Sequence, residues 1–202
     1  VGVFGNASVG GVVGSAYCYG YEGATIENVN NYSWVYSLEG SAAGVAGIIL
    51  NDNGGCTINV RSTTNYGRVQ PDDDATEASN FGGIAGQAIG LGGDIIFAAD
   101  QNYGDITTLT DNVGGILGSQ YTETQMLEGA TPTLTRVANY GYISMITNGD
   151  HAGGIVGFAN DGSNITKSFN DGTVTGDMFV GGIAGNVWSS SNSAVISQSY
   201  NS

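Results

Sequence analysis

The sequence predicts an all-β fold, a right-handed parallel β-helix of about six coils with three short strands in each coil. Three observations predict this β-solenoid: a glycine-rich block that recurs six times, an asparagine that recurs six times at the same mean spacing, and strand-forming residues around both. Repetition at a period of roughly 20–50 residues is the signature of a solenoid, in which each unit packs against its neighbours. We therefore expect residues 1–202 to form a single body.

The first repeated feature is a block of five residues, in which a small residue and a glycine precede two apolar residues and a second glycine. It reads GGVVG at 10–14, AGVAG at 43–47, GGIAG at 82–86, GGILG at 114–118, GGIVG at 153–157 and GGIAG at 181–185. The copies follow one another at intervals of 28 to 39 residues. Because like residues stack on like in a solenoid, the middle residues should form one inward ladder. Its members are Val12, Val45, Ile84, Ile116, Ile155 and Ile183.

The second repeated feature is an asparagine that often stands in Asn-Tyr-Gly. Its copies are Asn31, Asn65, Asn102, Asn139, Asn170 and Asn201. An apolar residue lies five positions before each copy, and another lies four positions after the first five. Stacked asparagine amides bond to the coils above and below, and asparagine tolerates left-handed backbone, so we expect an asparagine ladder at a left-handed turn. The tyrosines that follow should stack as well: Tyr32, Tyr66, Tyr103 and Tyr140.

The residue types between these features favour strands over helices. Gly, Asn and Ser interrupt every unit, and the apolar residues are mainly Ile, Val and Tyr, which favour strands. Leucine-rich repeats are excluded, because leucine enters the glycine block only at Leu117. Three strands that close on themselves and stack at about 4.8 Å per coil make the predicted β-helix. The six units are approximately 1–31, 32–65, 66–102, 103–139, 140–170 and 171–201.

The spacing also predicts where loops and open ends lie. The segment from each glycine block to the next asparagine varies most in length, so the insertion at 119–132 should project there as a loop. The segment that carries Asp72, Asp73 and Asp74 should form a second projecting loop. Residues 3–9 match 174–180 position for position, so the chain begins just after one asparagine turn and ends at another. We expect a part of a longer chain or assembly whose ends stack on flanking domains or on another copy.

Charge and composition narrow the choice of partners and of compartment. A formal charge of −14 repels phosphate backbones and anionic membranes, which argues against nucleic-acid binding. No apolar run approaches the roughly 18 residues of a membrane span, so no membrane insertion is expected. A chain rich in Gly, Asn, Ser, Thr and Tyr and poor in Lys is typical of an extracellular protein. Cys18 and Cys56 lie in neighbouring units, and either a disulfide between coils or two buried thiols fits them.

These residues resemble the GLUG-motif repeat, a short Gly-Leu-any-Gly-type module of bacterial cell-surface and secreted proteins. The resemblance is carried by the six glycine blocks and by the segments SFNDGTVTG at 168–176 and ISQSYN at 196–201, and it covers essentially the whole chain. The family includes segments of some IgA-cleaving peptidases and of haemagglutinin-like adhesins. The resemblance implies a β-helical extracellular segment, often a stalk or passenger, and it implies no catalytic residues.

Parallel β-helices include polysaccharide lyases and hydrolases, so residues suited to catalysis or metal binding were sought. The four basic residues are scattered over different units, and the sole histidine, His151, has no second metal ligand nearby in the sequence. The acidic run Asp72, Asp73 and Asp74 is typical of a solvated loop, with a loose Ca²⁺ site as its alternative. We therefore predict no catalytic residues, no zinc site and no cofactor other than this possible Ca²⁺.

Aromatic residues outside the inward ladders are the candidates for ligand binding. They are Tyr17, Tyr19, Tyr21, Trp34, Tyr36 and Trp188, and Tyr142 also lies outside the ladders. Exposed rings on a flat face are suited to stacking on sugars or on another protein, while rings that cover the solenoid are the alternative. The sequence thus predicts a non-enzymatic structural or adhesive segment of a bacterial extracellular protein, either a stalk or a subunit that stacks end to end into a filament. Its partners would be flanking domains, further copies, or host glycans and proteins, and the alternative is a carbohydrate-binding or carbohydrate-active β-helix.

Overall fold

The chain is an all-β solenoid of stacked parallel strands, as the repeats predict. The structure, a computed structural model, describes residues 1–52, 54–109, 111–122, 132–146, 149–190 and 192–202, and every regular element within these ranges is a β-strand. Five parallel sheets of six strands run along the solenoid, and each coil adds one strand to each sheet. One turn separates neighbouring strands of a sheet, so a sheet spans about five turns, slightly fewer than the six coils predicted. No helix in the described ranges has the length and apolarity that a membrane crossing requires.

We name the sheets A to E in the order in which each coil passes through them. Sheet A follows the asparagine and consists of Gly2–Gly5, Trp34–Ser37, Val69–Pro71, Ile106–Thr108, Ile143–Met145 and Val174–Thr175. Sheet B precedes or enters the glycine block and consists of Val9–Gly10, Glu39–Ala43, Glu77–Gly82, Asn112–Gly114, His151–Gly153 and Val180–Gly181. Sheet C follows the block and consists of Val13–Cys18, Ala46–Asn51, Ala85–Gly90, Leu117–Thr122, Val156–Ala159 and Ala184–Val187. Sheet D consists of Ala24–Glu27, Thr57–Arg61, Asp94–Ala98, Thr133–Thr135, Asn164–Thr166 and Val195–Ser197. Sheet E holds the repeated asparagines and consists of Asn30–Asn31, Thr64–Asn65, Gln101–Asn102, Ala138–Asn139, Phe169–Asn170 and Tyr200–Asn201.

Each coil has five strands, so the prediction of three strands per coil is wrong. One cause is a residue with left-handed backbone, three positions before every repeated asparagine, that separates sheet D from sheet E. These residues have φ between 51° and 58° and are Asn28, Ser62, Ala99, Arg136, Lys167 and Gln198. The repeated asparagines themselves lie in extended strands, so the expectation that they occupy the left-handed position is also wrong. The left-handed residue that bends the chain before each asparagine differs in type, so the bend depends on the stacked backbone and not on one side chain.

The two repeated features contact each other across every coil. A Cβ atom added at Gly44 would lie 2.1 Å from Cγ of Asn65, and one added at Gly83 would lie 2.4 Å from Cγ of Asn102. The block glycine is therefore required, because the asparagine of the same coil fills the space of a side chain. On either side of this contact lies an apolar core. One core contains Ile84, Ile58 and Phe97 with their stacked equivalents, and the other contains Val35, Phe81 and Ile106 with theirs.

The inward ladders are fully buried in the middle coils and open at the ends. Val45, Ile84, Ile116 and Ile155 are 0% exposed. By contrast, Val12 in the first coil is 47% exposed, and Ile183 in the last coil is partly exposed. Full burial of such a side chain stabilises a fold by about 1.5–3 kcal/mol. The two end coils therefore gain much less from the hydrophobic effect than the coils between them.

Candidate functional site

The repeated asparagines form one continuous hydrogen-bonded ladder, which confirms the predicted asparagine ladder. In every coil but the last, the side-chain Nδ2 donates to Oδ1 of the asparagine in the next coil, at 2.8 Å from Asn31 to Asn65 and at 2.7 Å from Asn102 to Asn139. The second hydrogen of Nδ2 goes to the carbonyl oxygen two residues further on, as at Gly104, 2.7 Å from Asn102. Because both hydrogens are used, the buried amide is fully satisfied as a donor. The ladder has a polarity: its amide nitrogens all donate toward the C-terminal end.

The predicted tyrosine stack follows the ladder on the outside of the solenoid. Ring centroids of Tyr32, Tyr66, Tyr103 and Tyr140 lie 4.6 to 5.2 Å apart, and neighbouring rings are parallel within 8°. In the next coil Asp171 takes the equivalent position, and Tyr140 contacts Phe169 edge-on. Because the inner rings cover one another's faces, they present mainly ring edges and hydroxyls to solvent, whereas Tyr32 at the start of the stack is 70% exposed. A ligand that needs a free aromatic face finds little room on it.

The six aromatic binding candidates do not come together at one place. Tyr17 and Tyr19 stack at 6.1 Å between centroids near the end of the first strand of sheet C, and Tyr21 follows them in the loop. Trp188 directly follows the last strand of sheet C, at the other end of the solenoid. Trp34 and Tyr36 lie on sheet A, with their centroids 6.2 Å apart. The candidates thus divide into three separate surfaces.

Trp34 is the candidate with the most developed surroundings. The guanidinium carbon of Arg68 lies 5.7 Å from the ring centroid, over one face of the indole. An Nη atom of Arg68 lies 3.6 Å from Oδ2 of Asp105, in a half-exposed ion pair. These side chains share one position, three residues after the repeated asparagines, so aligning the units at the asparagine would have pointed to Arg68 and Asp105 as neighbours of Trp34. Neither residue is aromatic, so a prediction from exposed rings did not include them.

Two shallow clefts flank Trp34 on the outer surface of sheet A. One is a cavity of about 330 Å³ lined by Val1, Gly2, Phe4, Tyr32, Trp34 and Tyr36. The other is a cavity of about 310 Å³ lined by Trp34, Tyr66, Arg68, Tyr103, Gly104 and Asp105. In the strand register Gly2 is the neighbour of Trp34, and the rings of Phe4 and Tyr36 lie beside Gly2 in the first cleft.

Asp100 is a carboxylic acid buried in the interior, two positions before an asparagine of the ladder. The backbone N–H and the hydroxyl of Thr63 donate to its Oδ1 at 2.9 and 3.0 Å, while its buried Oδ2 has no hydrogen-bond partner. Burial raises the pKa of Asp100 to about 7, and the two bonds from Thr63 oppose this increase. The equivalent residue of the following coil is Val137, which offers no donor. The carboxyl group of Asp100 is therefore part of the interior of the stack and has no access to solvent.

His151 and Asp161 also have partners within the stack. Nδ1 of His151 lies 2.8 Å from Oδ1 of Asn112, and Nδ2 of Asn186 lies 3.0 Å from Nε2. Burial lowers the pKa of His151, and two nearby aspartates oppose the change. The hydroxyl of Ser190 donates to the buried carboxylate of Asp161 at 2.7 Å. These contacts link successive coils.

The remaining predicted sites lie at the loops. Cys18 and Cys56 form a disulfide between the first two coils, with Cα atoms 6.5 Å apart. In the acidic run, the N–H of Asp74 donates to Oδ1 of Asp72 at 3.4 Å in a turn. Within the described ranges no three His, Cys, Asp or Glu side chains lie close enough to hold a metal ion. Most of the predicted loop at 119–132, from 123 to 131, lies outside the described residues.

Comparison with protein-family models, with curated proteins and with solved structures finds no match to this chain.

Proposed function

We propose that this chain is a non-enzymatic structural or adhesive segment of a bacterial extracellular or cell-surface protein. The observation that carries the proposal is the contact between the two repeated features. The residues that recur in every coil, such as Gly83 and Asn102, are used on one another and on the next coil. A repeat whose recurring residues all maintain the stack is suited to a rigid spacer or to the scaffold of an adhesive surface. The resemblance of the blocks to the GLUG-motif repeat supports the same role.

The surroundings of three titratable side chains support a non-enzymatic role. Asp100 and Asp161 are buried, and the carboxylate of Asp161 accepts a hydrogen bond from the neighbouring coil. A catalytic acid or base needs to reach a substrate atom at hydrogen-bond distance. The two carboxyl groups are enclosed by the stack, and both ring nitrogens of the partly exposed His151 are used by Asn112 and Asn186. If the purified chain released reducing ends or unsaturated sugars from a panel of polysaccharides, the carbohydrate-active alternative would replace this proposal.

The disulfide between Cys18 and Cys56 supports an extracellular location, because such bonds persist in oxidising compartments. Antibodies against the purified chain provide the test on cells of the source organism. We expect labelling of intact cells or recovery of the protein from the medium. Labelling that requires permeabilised cells would contradict the proposed location.

Self-association into a filament is the assembly variant of the proposal. The polarity of the ladder favours it: each Nδ2 donates to the Oδ1 of the next coil, from Asn31 to Asn65 and onward to Asn201. A second copy stacked tail to head would continue the same pattern of bonds. We expect sedimentation velocity and electron microscopy to show rods that lengthen with concentration. A chain that stays monomeric at all concentrations would contradict this variant.

A further inference from the structure

We propose that the outer surface of sheet A around Trp34 is a binding site for a neutral oligosaccharide. The inference does not depend on the proposed structural role, because it rests on side chains that point away from the stack.

Trp34 offers an accessible aromatic ring. The inner tyrosines beside the ladder stack face to face and cover one another, whereas Trp34 lines both clefts of this surface. Its side chain is half exposed, and the guanidinium of Arg68 lies over one face of the ring. Indole rings offer a large and rigid apolar surface. The apolar C–H face of a pyranose ring matches such a surface.

Polar side chains line the cleft beside this ring. Arg68 provides hydrogen-bond donors, Asp105 provides acceptors, and the ring edges of Tyr66 and Tyr103 close the second cleft. Small-molecule sites combine an apolar wall with a few convergent polar groups. Donors and acceptors side by side suit the hydroxyl groups of a sugar. The two clefts lie on either side of Trp34, so a ligand of two or more sugar units would occupy both.

The charges of the chain and of Arg68 favour a neutral ligand at this site. The chain carries a formal charge of −14, which disfavours an anionic polysaccharide. The guanidinium of Arg68 already occupies one face of Trp34, which disfavours a cationic ligand at the same ring. A neutral and polyhydroxylated ligand satisfies both conditions.

The chain offers a matched control, since it has two tryptophans of nearly equal exposure, 51% for Trp34 and 53% for Trp188, at opposite ends of the solenoid. In the Trp188→Phe variant the emission of Trp34 is observed alone. The probes are gluco-, xylo-, manno- and malto-hexaoses, with an oligogalacturonate and choline as charged contrasts. We expect a saturable change in emission with at least one neutral hexaose. We also expect Trp34→Ala to weaken that binding about tenfold or more by calorimetry, and Trp188→Ala to leave it within about twofold.

A second variant tests the geometry without removing the indole. Gly2→Leu adds a side chain to the first cleft, which Gly2 lines, and its Cβ would meet the far ends of two rings, Cε2 of Phe4 at 2.9 Å and Cε2 of Tyr36 at 3.3 Å. We expect this variant to keep its melting temperature and to lose hexaose binding. The proposal is overturned if no neutral hexaose binds at about 10 mM, well above a Kd of 1 mM. It is equally overturned if choline or the oligogalacturonate is the better ligand, or if Trp188→Ala weakens binding as much as Trp34→Ala.

Discussion

The asparagine corner and the corner between sheets C and D belong to the same coils, yet one is nearly uniform and the other varies along the solenoid. Connections from sheet E to sheet A are two or three residues long, whereas those from sheet C to sheet D range from 3 to 10. At the first corner the same amide bond joins every pair of coils. At the second corner coils are joined by different means, such as the disulfide between Cys18 and Cys56 and the bond from Ser190 to Asp161. One regular corner therefore suffices to hold the coils in register, and the other corner can accept insertions.

The sharpest way to break the regular corner is to remove one asparagine from its middle. Asn102→Leu removes the acceptor of one buried N–H of Asn65 in the preceding coil and the donor to the buried Oδ1 of Asn139 in the next coil. Since each unsatisfied buried polar group costs about 1–3 kcal/mol, we expect the free energy of unfolding in urea to fall by about 4 kcal/mol. The matched control is Asn201→Leu in the exposed end coil, which should lower it by less than about 1 kcal/mol. Equal effects of the two changes would contradict the ladder as the source of register.

The regular corner contains one irregular side chain, Asp100, which makes its stability depend on pH. The pKa of Asp100 is about 7 in the folded chain against 3.8 for the free side chain, so the folded state keeps a proton that the unfolded state loses between these values. Stability from this group is therefore full below about pH 4, falls as pH rises toward 7, and is constant above. The difference between the two pKa values corresponds to about 4 kcal/mol.

Asp100→Asn removes this titration. We expect the unfolding free energy of the variant, relative to that of the natural chain, to rise by roughly that amount between pH 4 and pH 8. Urea unfolding at several pH values measures it. A difference between the two proteins that stays constant across this range would show that Asp100 does not titrate there.

At the variable corner the disulfide joins only the first two coils. The double change Cys18→Ser and Cys56→Ser removes a cross-link that spans 38 residues, and we expect about 3 kcal/mol less stability under oxidising conditions. Hydrogen exchange should increase mainly in the first two coils. An increase spread evenly over all coils would show that this corner, too, holds the whole stack together.

The smallest expected effect compares glycines at the two corners. A Cβ at Gly104, beside the ladder, would lie 2.0 Å from the carbonyl oxygen of Gly67, whereas one at Gly20, in the variable corner, would meet nothing closer than 4.0 Å. Gly104→Ala should therefore lower stability by about 2–3 kcal/mol. Gly20→Ala should be neutral or stabilise by up to about 1 kcal/mol, because it restricts the unfolded chain. Thermal melts of the two variants measure the difference, and similar melting temperatures would contradict it.

The uniform corner is also what could be predicted from the sequence. Three features could be predicted because stacking places similar residue types at the same position of successive coils: the ladder, the stacked tyrosines and the inward positions. The left-handed residues three positions before the asparagines were not readable, since their types are Asn, Ser, Ala, Arg, Lys and Gln. That conformation is imposed by the stack and leaves no compositional signal. The division into two cores was missed for a related reason, because it depends on a contact between two features that lie about 20 residues apart.

The candidate sites depended on tertiary placement and were predicted less well. Trp34 and Trp188 have the same residue type and nearly the same exposure, but Trp34 has Arg68 over one face of its ring and Gly2 as its neighbour in the strand register. Composition does not distinguish the two. Alignment of the units at the asparagine does, since it brings Trp34, Arg68 and Asp105 into one row.

The central claim is that the six asparagines form one continuous ladder that holds the coils in register. Hydrogen exchange of their side-chain amides, followed by NMR with ¹⁵N-labelled protein, tests it most directly. The ladder predicts that the Nδ2 protons of Asn65, Asn102 and Asn139 exchange orders of magnitude more slowly than those of Asn201 in the exposed end coil. Similar and fast exchange at all four residues would contradict the claim.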